Sequence, residues 1–201
     1  MPVHMHVPMT RRVCAEMAEH SFTLILSGDV DTHLDELFDA GCDDATFGAV
    51  DGVAYADFDR EAPSLAEAIA SAQAAVETVP SLRVQRIEPD DLVTMSEIAE
   101  KLGRTRESVR LLIAGERGAG GFPPPVSHLR TRNRLWRWSE VAAWAGTTDA
   151  VTQAQARTVA ALNAALELRA ATTHLPPAAR ALVASLWNPT SSGAAGADSD
   201  F

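Results

Sequence analysis

Alternating hydrophobic and polar positions predict a small α+β domain over residues 21–89. The segment FTLILS, Phe22–Ser27, is a short run suited to a half-buried strand. The following segment, DVDTHLDELFDAG, has apolar residues at helical spacing. It predicts a short helix with Leu34, Leu37 and Phe38 on one face.

A hairpin, a second helix and a last strand complete this domain. The segments ATFGAV and VAYADFD flank Asp51 and Gly52, a pair that favours a type I′ turn because both central residues must tolerate positive φ. A capping box from Ser64 to Glu67 begins a helix with an apolar stripe that continues towards Pro80. The segment LRVQRIE then has the composition of a strand.

The predicted order, βαββαβ, matches the split βαβ or ferredoxin-like unit, in which two helices cover one face of a four-stranded antiparallel sheet. The opposite face stays open. We expect that face to carry small or moderately apolar side chains, namely Thr23, Ile25, Thr46 and Ala54. Such a face suits a second copy of the chain, a partner protein or a small ligand, and the sequence favours none of the three.

Charge separates a second segment from the rest of the chain. The net charge is −10 at pH 7, and spread evenly it would repel phosphate. Between Leu92 and Trp144, however, nine Lys or Arg residues stand against five Asp or Glu residues, a net charge of +4, whereas the remainder carries −14. A basic segment in an acidic chain indicates two parts with different partners.

The basic segment has the pattern of two helices joined by a tight turn. The stretch from Thr94 to Glu97 is a capping box that begins the first helix, Gly103 supplies the turn, and Thr105 caps the second helix. The predicted buried stripe of the second helix consists of Val109, Leu112 and Ile113. The polar residues predicted to face DNA from its outward surface are Arg104, Thr105, Arg106, Glu107, Ser108 and Arg110.

These residue types suit DNA for a chemical reason. A major groove about 12 Å wide admits one helix, and arginine can pair with O6 and N7 of guanine through two hydrogen bonds. Hydroxyl groups such as those of Thr105 and Ser108 donate to phosphates.

A hairpin and a third helix are predicted after a loop rich in glycine and proline. Two short strands, Val126–His128 and Leu135–Trp138, form a wing whose tip can follow a phosphate backbone or enter a minor groove. The predicted wing contacts are Arg130, Arg132, Asn133 and Arg134. Ser139 and Glu140 are predicted to cap the third helix, whose Val141, Ala142 and Trp144 pack back on the first helix.

Four motifs occur in this segment in a fixed order. They are Met95-Ser-Glu-Ile-Ala, Gly103-Arg-Thr-Arg-Glu-Ser-Val, Phe122-Pro-Pro-Pro and Arg134-Leu-Trp-Arg-Trp-Ser-Glu-Val141. Together they resemble the winged helix-turn-helix of the MerR superfamily, especially small phage-type excisionase and AlpA-like regulators. The resemblance covers about 55 residues.

The resemblance implies a role for particular residues. It assigns groove and phosphate contacts to Arg104, Thr105, Arg106 and Arg110, and wing contacts to Arg130, Arg132 and Arg134. It also implies that Trp136 or Trp138 belongs to the core at the wing root. The chain departs from the family in three respects: an additional domain precedes the module, no long coiled coil or cysteine effector site follows, and the loop Ala114–Gly121 is longer and richer in glycine.

The remaining segments complete the predicted α+β organisation. We expect a flexible tail (1–20), the ferredoxin-like domain (21–89), the winged helix-turn-helix (90–146), a helical C-terminal region (147–188) and a disordered end (189–201). The stripes expected on the two C-terminal helices are Val151, Val159, Leu162 and Leu166, and then Leu182, Val183, Leu186 and Trp187.

Several classes of protein are disfavoured. No window approaches the roughly 18 apolar residues of a membrane span, and no signal peptide is apparent, so we expect a cytoplasmic protein without membrane contact. Cys14 and Cys42 are too few and too far apart for a disulfide framework or a cysteine zinc site. Because no nucleophile, acid–base or cofactor motif stands in its required context, we expect no enzyme, no cofactor and no metal site.

Two functions remain open, with an enzyme on the open sheet face ranked last. The first is a DNA-binding transcriptional regulator, a dimeric repressor or autoregulator, with double-stranded DNA and a second copy of the chain as partners. The alternative is an antitoxin or phage-type accessory protein. In that case the acidic N-terminal domain or the C-terminal helices bind a partner protein, and DNA binding is autoregulatory.

Overall fold

Seven α-helices and two sheets make up the described part of the chain, which in the computed structural model comprises residues 16–131, 133–148 and 150–187. The strands are β1 Ala18–Ser27, β2 Ala45–Val50, β3 Val53–Ala62, β4 Arg83–Glu88, β5 Leu92–Thr94 and β6 Leu135–Arg137. The helices are α1 Leu34–Asp39, α2 Leu65–Val76, α3 Met95–Lys101, α4 Arg106–Ile113, α5 Trp138–Ala145, α6 Ala150–Thr173 and α7 Pro177–Trp187. The chain divides into two compact units, residues 1–83 and 84–201.

The larger sheet has the strand order β2-β3-β1-β4, and its pairs β1–β3 and β2–β3 are antiparallel. The predicted hairpin between β2 and β3 is confirmed. Val50 pairs with Val53, and the two residues between them have positive φ, 51° at Asp51 and 82° at Gly52. Strand β1 begins at Ala18, inside the stretch predicted as a tail, and residues 1–15 lie outside the described part.

One face of β1 and β3 is buried and carries the core of the first unit. The rings of Phe22 and Phe58 are stacked with their centroids 5.4 Å apart, and Leu26 pairs with Ala54 on the same face. The prediction that Ala54 lies on the open face is therefore wrong. Side chains alternate between the two faces of a strand, so placing Ala54 correctly requires the register with β1.

The opposite face of these strands carries several polar side chains. The hydroxyl of Thr23 donates to Asp57 (2.6 Å), and that of Ser21 donates to Asp59 (2.7 Å). Both carboxylates belong to exposed residues. Thr23, Ile25 and Thr46 lie on this face as predicted, since Thr23 and Thr46 both pair with Asp57 and Ile25 pairs with Tyr55. The two carboxylates on this face were not part of the prediction.

Helix α1 buries less than its pattern predicts. Leu37 is fully buried, but Leu34 is 46% and Phe38 64% exposed, so the predicted three-residue face is wrong for two of its members. The helix has only six residues and follows a 3₁₀ turn, Asp31–His33. So short a helix presents a single position to the core.

An ion pair between a buried arginine and a partly exposed aspartate connects the loop after α1 to strand β3. Arg60, only 8% exposed, donates from Nε and Nη2 to the two carboxylate oxygens of Asp44, each at 2.7 Å. It also donates to the carbonyl of Gly41 (2.6 Å) and to the hydroxyl of Ser71 (3.3 Å). The hydrogen bond to Asp44 raises the pKa of Arg60. Asp44 is thus the carboxylate that offsets the buried positive charge of Arg60, beside two neutral acceptors.

In the second unit, α6 supplies a polar partner for strand β4. The side chain of Asn163 accepts from the backbone N–H of Ile87 (2.8 Å) and donates to the carbonyl of the same residue (2.9 Å). Strand β4 lies at one edge of the sheet, and its residue Ile87 has both backbone groups bonded to this side chain. The buried asparagine thus protects the edge.

The C-terminal helices expose part of their predicted stripes. On α6, Val159 and Leu166 are buried, whereas Val151 is 67% exposed. On α7, Leu182 and Leu186 are 64% and 77% exposed, so the prediction that they pack is wrong for these two residues. Val183 is half-buried, and the side chain of Trp187 lies outside the described part. No helix in the described ranges has both the length and the hydropathy that crossing a bilayer requires.

Candidate nucleic-acid interface

Local hydrogen bonds define the start of both helices of the basic segment, as predicted. The hydroxyl of Thr94 accepts from Glu97 N (3.3 Å), and the Glu97 carboxylate accepts from Thr94 N (2.7 Å), which completes a capping box. This backbone hydrogen bond lowers the pKa of Glu97. Thr105 caps α4 by accepting from Ser108 N (3.1 Å). The turn between the helices contains Gly103 with a φ of 60°.

A shared core holds α3, α4 and α5 together. Its buried members are Val93, Ile98, Ala99, Val109, Trp136 and Val141. The prediction that Trp136 is core is confirmed, with 1% exposure. Two of these residues come from a two-stranded antiparallel sheet, in which Val93 of β5 pairs with Trp136 of β6. Strand β5 was not predicted from the sequence.

The hairpin that includes residues 126–137 is shorter than predicted. Ser127 and Leu135 form a single bridge, supported by a hydrogen bond from Val126 N to the Leu135 carbonyl (2.8 Å). Strand β6 ends at Arg137, and Trp138 is the first residue of α5 rather than the end of a strand. At the tip, Thr131 donates from its backbone and its hydroxyl to the carbonyl of His128. Residues 128–131, the described first half of the tip, therefore form a hydrogen-bonded turn.

Helix α4 and this hairpin enclose a groove of about 750 Å³, which we call the α4 groove. Its lining residues are Met95, Arg106, Glu107, Arg110, Ile113, Ala114, Thr131, Arg134 and Trp136. Three arginines and one glutamate make its charged part positive. The floor contributed by Met95, Ile113 and Trp136 continues the core beneath it.

An ion pair lies within the α4 groove. Arg110 donates from Nε to both carboxylate oxygens of Glu107, each at 3.0 Å, and its Nη2 lies 2.9 Å from Glu107 Oε1. Glu116 approaches the same Nη2 at 3.7 Å. The hydrogen bond between the two side chains lowers the pKa of Glu107 and raises that of Arg110. By contrast, Arg106 and Arg134 form no ion pair with any described residue.

The structure brings together some of the predicted contact residues and separates others. The predicted residues that line the α4 groove are Arg106, Glu107, Arg110 and Arg134. Arg104 is exposed in the turn before α4. Thr105 and Ser108 form the hydrogen bond that caps the start of α4. Arg130 and Asn133 are exposed on the hairpin and do not line the groove. Arg132 lies outside the described residues.

Thr131 and Glu116 are functional candidates that sequence reasoning missed. Thr131 lines the groove from the hairpin tip, and Glu116 approaches Arg110 from the loop after α4. The Glu107–Arg110 pair itself has a sequence signal, since residues three apart on a helix are neighbours. For Thr131 and Glu116 no local pattern indicates the contact.

Asp91 fixes the start of α5, and the predicted cap at Ser139 is wrong. The helix begins at Trp138 after Arg137, which makes no side-chain cap. The carboxylate of Asp91 instead accepts from Ser139 N (2.7 Å) and from the Ser139 hydroxyl (2.8 Å), and the Asp91 carbonyl accepts from Trp138 N (2.7 Å). Asp91 is 3% exposed, so a residue predicted as linker belongs to the core.

Replacing Asp91 by alanine is expected to lower the free energy of unfolding of the second unit by about 2 kcal/mol, because a helix start loses its cap and a buried hydroxyl loses its acceptor. All four tryptophans belong to residues 84–201, so tryptophan fluorescence during urea unfolding measures this unit. Glu88, exposed in β4, provides the control variant Glu88→Ala. Equal midpoints for the two variants would contradict the role of Asp91.

Trp144 holds the glycine-rich loop, although it was predicted to pack on α3. Its Nε1 donates to the carbonyl of Gly120 (3.0 Å), and its ring meets that of Phe122 edge to face with centroids 4.9 Å apart. This contact fixes the end of the long loop between α4 and the hairpin. The loop therefore reaches the hairpin from a defined position.

The chain matches no protein-family model, no curated protein and no solved structure in comparisons with all three. Within the described ranges, no group of three or more His, Cys, Asp or Glu side chains could hold a metal ion. The histidines of the segment His4-Met-His6, a residue type that can bind a metal, lie outside those ranges.

Proposed function

We propose that the chain is a sequence-specific DNA-binding transcriptional regulator and that residues 90–146 are a winged helix-turn-helix of the MerR-superfamily type. The observation that carries the proposal is that Arg106 and Arg110 of α4 line the same groove as Arg134 of the hairpin. In this arrangement α4 is the recognition helix and the hairpin is the wing.

The distribution of charge supports a polyanion as ligand. Arg106 and Arg134 line the groove without a carboxylate partner among the described residues, and Arg104 is exposed beside the start of α4. Phosphate contacts by such residues release counterions and supply most of the affinity for DNA. Acidic residues elsewhere in the chain disfavour contact of other surfaces with the duplex.

The same proposal covers the remaining domains. We take the N-terminal βαββαβ arrangement as ferredoxin-like, because its sheet order, β2-β3-β1-β4, places the first and third strands at the centre. We assign this domain and the C-terminal helices to assembly of a homodimer. A two-fold dimer reads two half-sites, so the operator is expected to be pseudo-palindromic, as in a repressor or autoregulator.

Selection of duplexes from a random library by the full-length chain at 0.15 M salt tests this function. We expect enrichment of a motif with two-fold symmetry, and loss of enrichment in the charge-reversal variant Arg106→Glu/Arg134→Glu. Recovery of the input distribution by the wild-type chain, or equal enrichment by both proteins, would refute the proposal. RNA of the enriched sequence, added as competitor, distinguishes duplex DNA from RNA.

The second candidate is an antitoxin or phage-type accessory protein that binds a partner and regulates itself through DNA. The exposed apolar residues Leu182 and Leu186 of α7 favour a surface of this kind. Co-purification from the native host distinguishes the two candidates. A stoichiometric partner lost in Leu182→Ser/Leu186→Ser supports the accessory protein, and its absence supports the regulator.

A further inference from the structure

We propose that Glu107 and Arg110 form a preassembled reader of one guanine base, in which Arg110 contacts the base and Glu107 is the positioning residue. The inference rests on the proposed function and adds the identity of a base to it. Both side chains line the α4 groove and are accessible, with 49% of Arg110 and 66% of Glu107 exposed.

The hydrogen bonds leave one edge of the guanidinium available. Glu107 occupies the edge formed by Nε and Nη2, with distances of 3.0, 3.0 and 2.9 Å. A guanidinium has five N–H donors, so both protons of Nη1 and the second proton of Nη2 form no hydrogen bond to Glu107. Glu116 Oε2 lies 3.7 Å from Nη2, beyond hydrogen-bond distance. These donors point along the end of the side chain as two parallel N–H groups. That arrangement matches the paired acceptors of a nucleobase edge.

The donor pattern selects guanine among the four bases. Guanine presents two acceptors in the major groove, O6 and N7, whereas adenine presents one acceptor beside an amino donor. Two parallel N–H groups can therefore donate to both acceptors of guanine. On adenine, one of them would face the amino group, which is also a donor. Because Glu107 already orients the guanidinium of Arg110 in the unbound protein, the side chain loses little conformational freedom when it contacts the base.

Charge separates the role of Arg110 from that of the other groove arginines. Glu107 offsets the positive charge of Arg110, so Arg110 gains less than an unpaired arginine from a phosphate. A base edge is uncharged, and contact with it depends on hydrogen-bond geometry rather than net charge. Arg106 and Arg134, which have no described carboxylate partner, suit phosphate better. In the groove, Arg110 is thus assigned to a base, and Arg106 and Arg134 are assigned to phosphates of the DNA backbone.

The test measures affinities of the full-length chain for the duplex selected above and for copies in which each guanine in turn is replaced by 7-deazaguanine, which lacks the N7 acceptor. We expect one such replacement to lower wild-type affinity by about 10-fold or more. In Glu107→Gln this penalty shrinks to about 2-fold, while affinity for a scrambled duplex rises because a negative charge has left the groove. In Arg110→Lys the penalty disappears because one ammonium cannot form the paired contact.

Glu100→Gln is the matched control, since it removes the same charge from an exposed position on α3 outside the groove lining. If Glu107→Gln raises affinity for every duplex equally and leaves the 7-deazaguanine penalty unchanged, the guanine assignment is overturned and DNA binding stands. The same conclusion follows if no replacement affects the wild type. Absence of binding to any duplex overturns the proposed function and the guanine assignment together.

Discussion

The triple variant Arg106→Ala/Arg110→Ala/Arg134→Ala is expected to bind the selected duplex about 100-fold or more weakly than the wild type, because each arginine contact with a base or phosphate contributes about 1–3 kcal/mol. The three side chains line one groove, so a duplex docked there loses all of them at once. Fluorescence anisotropy with a labelled duplex measures the change directly.

The salt dependence of DNA affinity is a second measurement on the same variant. A plot of log affinity against log salt concentration has a negative slope, and its magnitude is expected to be smaller by about 2 in the variant. Arg106 and Arg134 are assigned to phosphates, and each phosphate contact contributes about 0.9 to that magnitude. The control variant Arg117→Ala/Arg157→Ala/Arg180→Ala removes equal charge from exposed positions outside the groove. A comparable loss in that variant would mean that net charge, not the α4 groove, accounts for binding.

Replacing Asp44 by alanine is expected to lower the free energy of unfolding of the first unit by about 3–5 kcal/mol, because it leaves a buried charge without its partner. Arg60 is 8% exposed and loses two hydrogen bonds of 2.7 Å. It keeps only the neutral acceptors, the Gly41 carbonyl and the Ser71 hydroxyl. Hydrogen exchange at the backbone amides of β1 and β3 measures this loss within the first unit.

Two further variants separate the physical causes. Asp43→Ala, at the adjacent exposed position, is expected to change stability by less than about 0.5 kcal/mol. Asp44→Leu/Arg60→Met removes both charges and is expected to be more stable than Asp44→Ala, since no charge then remains buried. Equal destabilisation by Asp43→Ala and Asp44→Ala would contradict the account.

Local signals predicted much of the fold because their causes are local. Thr94 and Thr105 cap helices through bonds to residues three positions away, and Asp51-Gly52 adopts the turn that its two residues favour. The element order of the first unit follows from such signals. Strand β5 has only three residues, too few for a periodic pattern, and exists because Val93 pairs with Trp136.

Contacts distant in sequence account for what the pattern did not predict. Asp91 bonds to a residue 48 positions away, and Asn163 to one 76 positions away. No local rule distinguishes either residue from an ordinary solvated polar side chain. Ala54 was assigned to the wrong face because alternation alone defines two faces but not which one is buried.

The sequence predicts which residues belong to the candidate site but not which of them line a common groove. Arginines on the outward side of α4 follow from its apolar stripe at Val109 and Leu112. Their convergence with Arg134 depends on how the hairpin packs on the helices, which involves the buried Trp136. That packing is a tertiary property, and for the same reason Thr131 was missed.

Photo-crosslinking tests most directly whether α4 and the hairpin contact the same duplex. A diazirine amino acid is placed singly at Ala114 or Thr131, both of which line the α4 groove, and at Leu186 of α7, which is 77% exposed, as the control. The account predicts adducts from Ala114 and Thr131 within one half-site and none from Leu186. Adducts from Leu186 alone, or from no position under conditions of full binding, would contradict it.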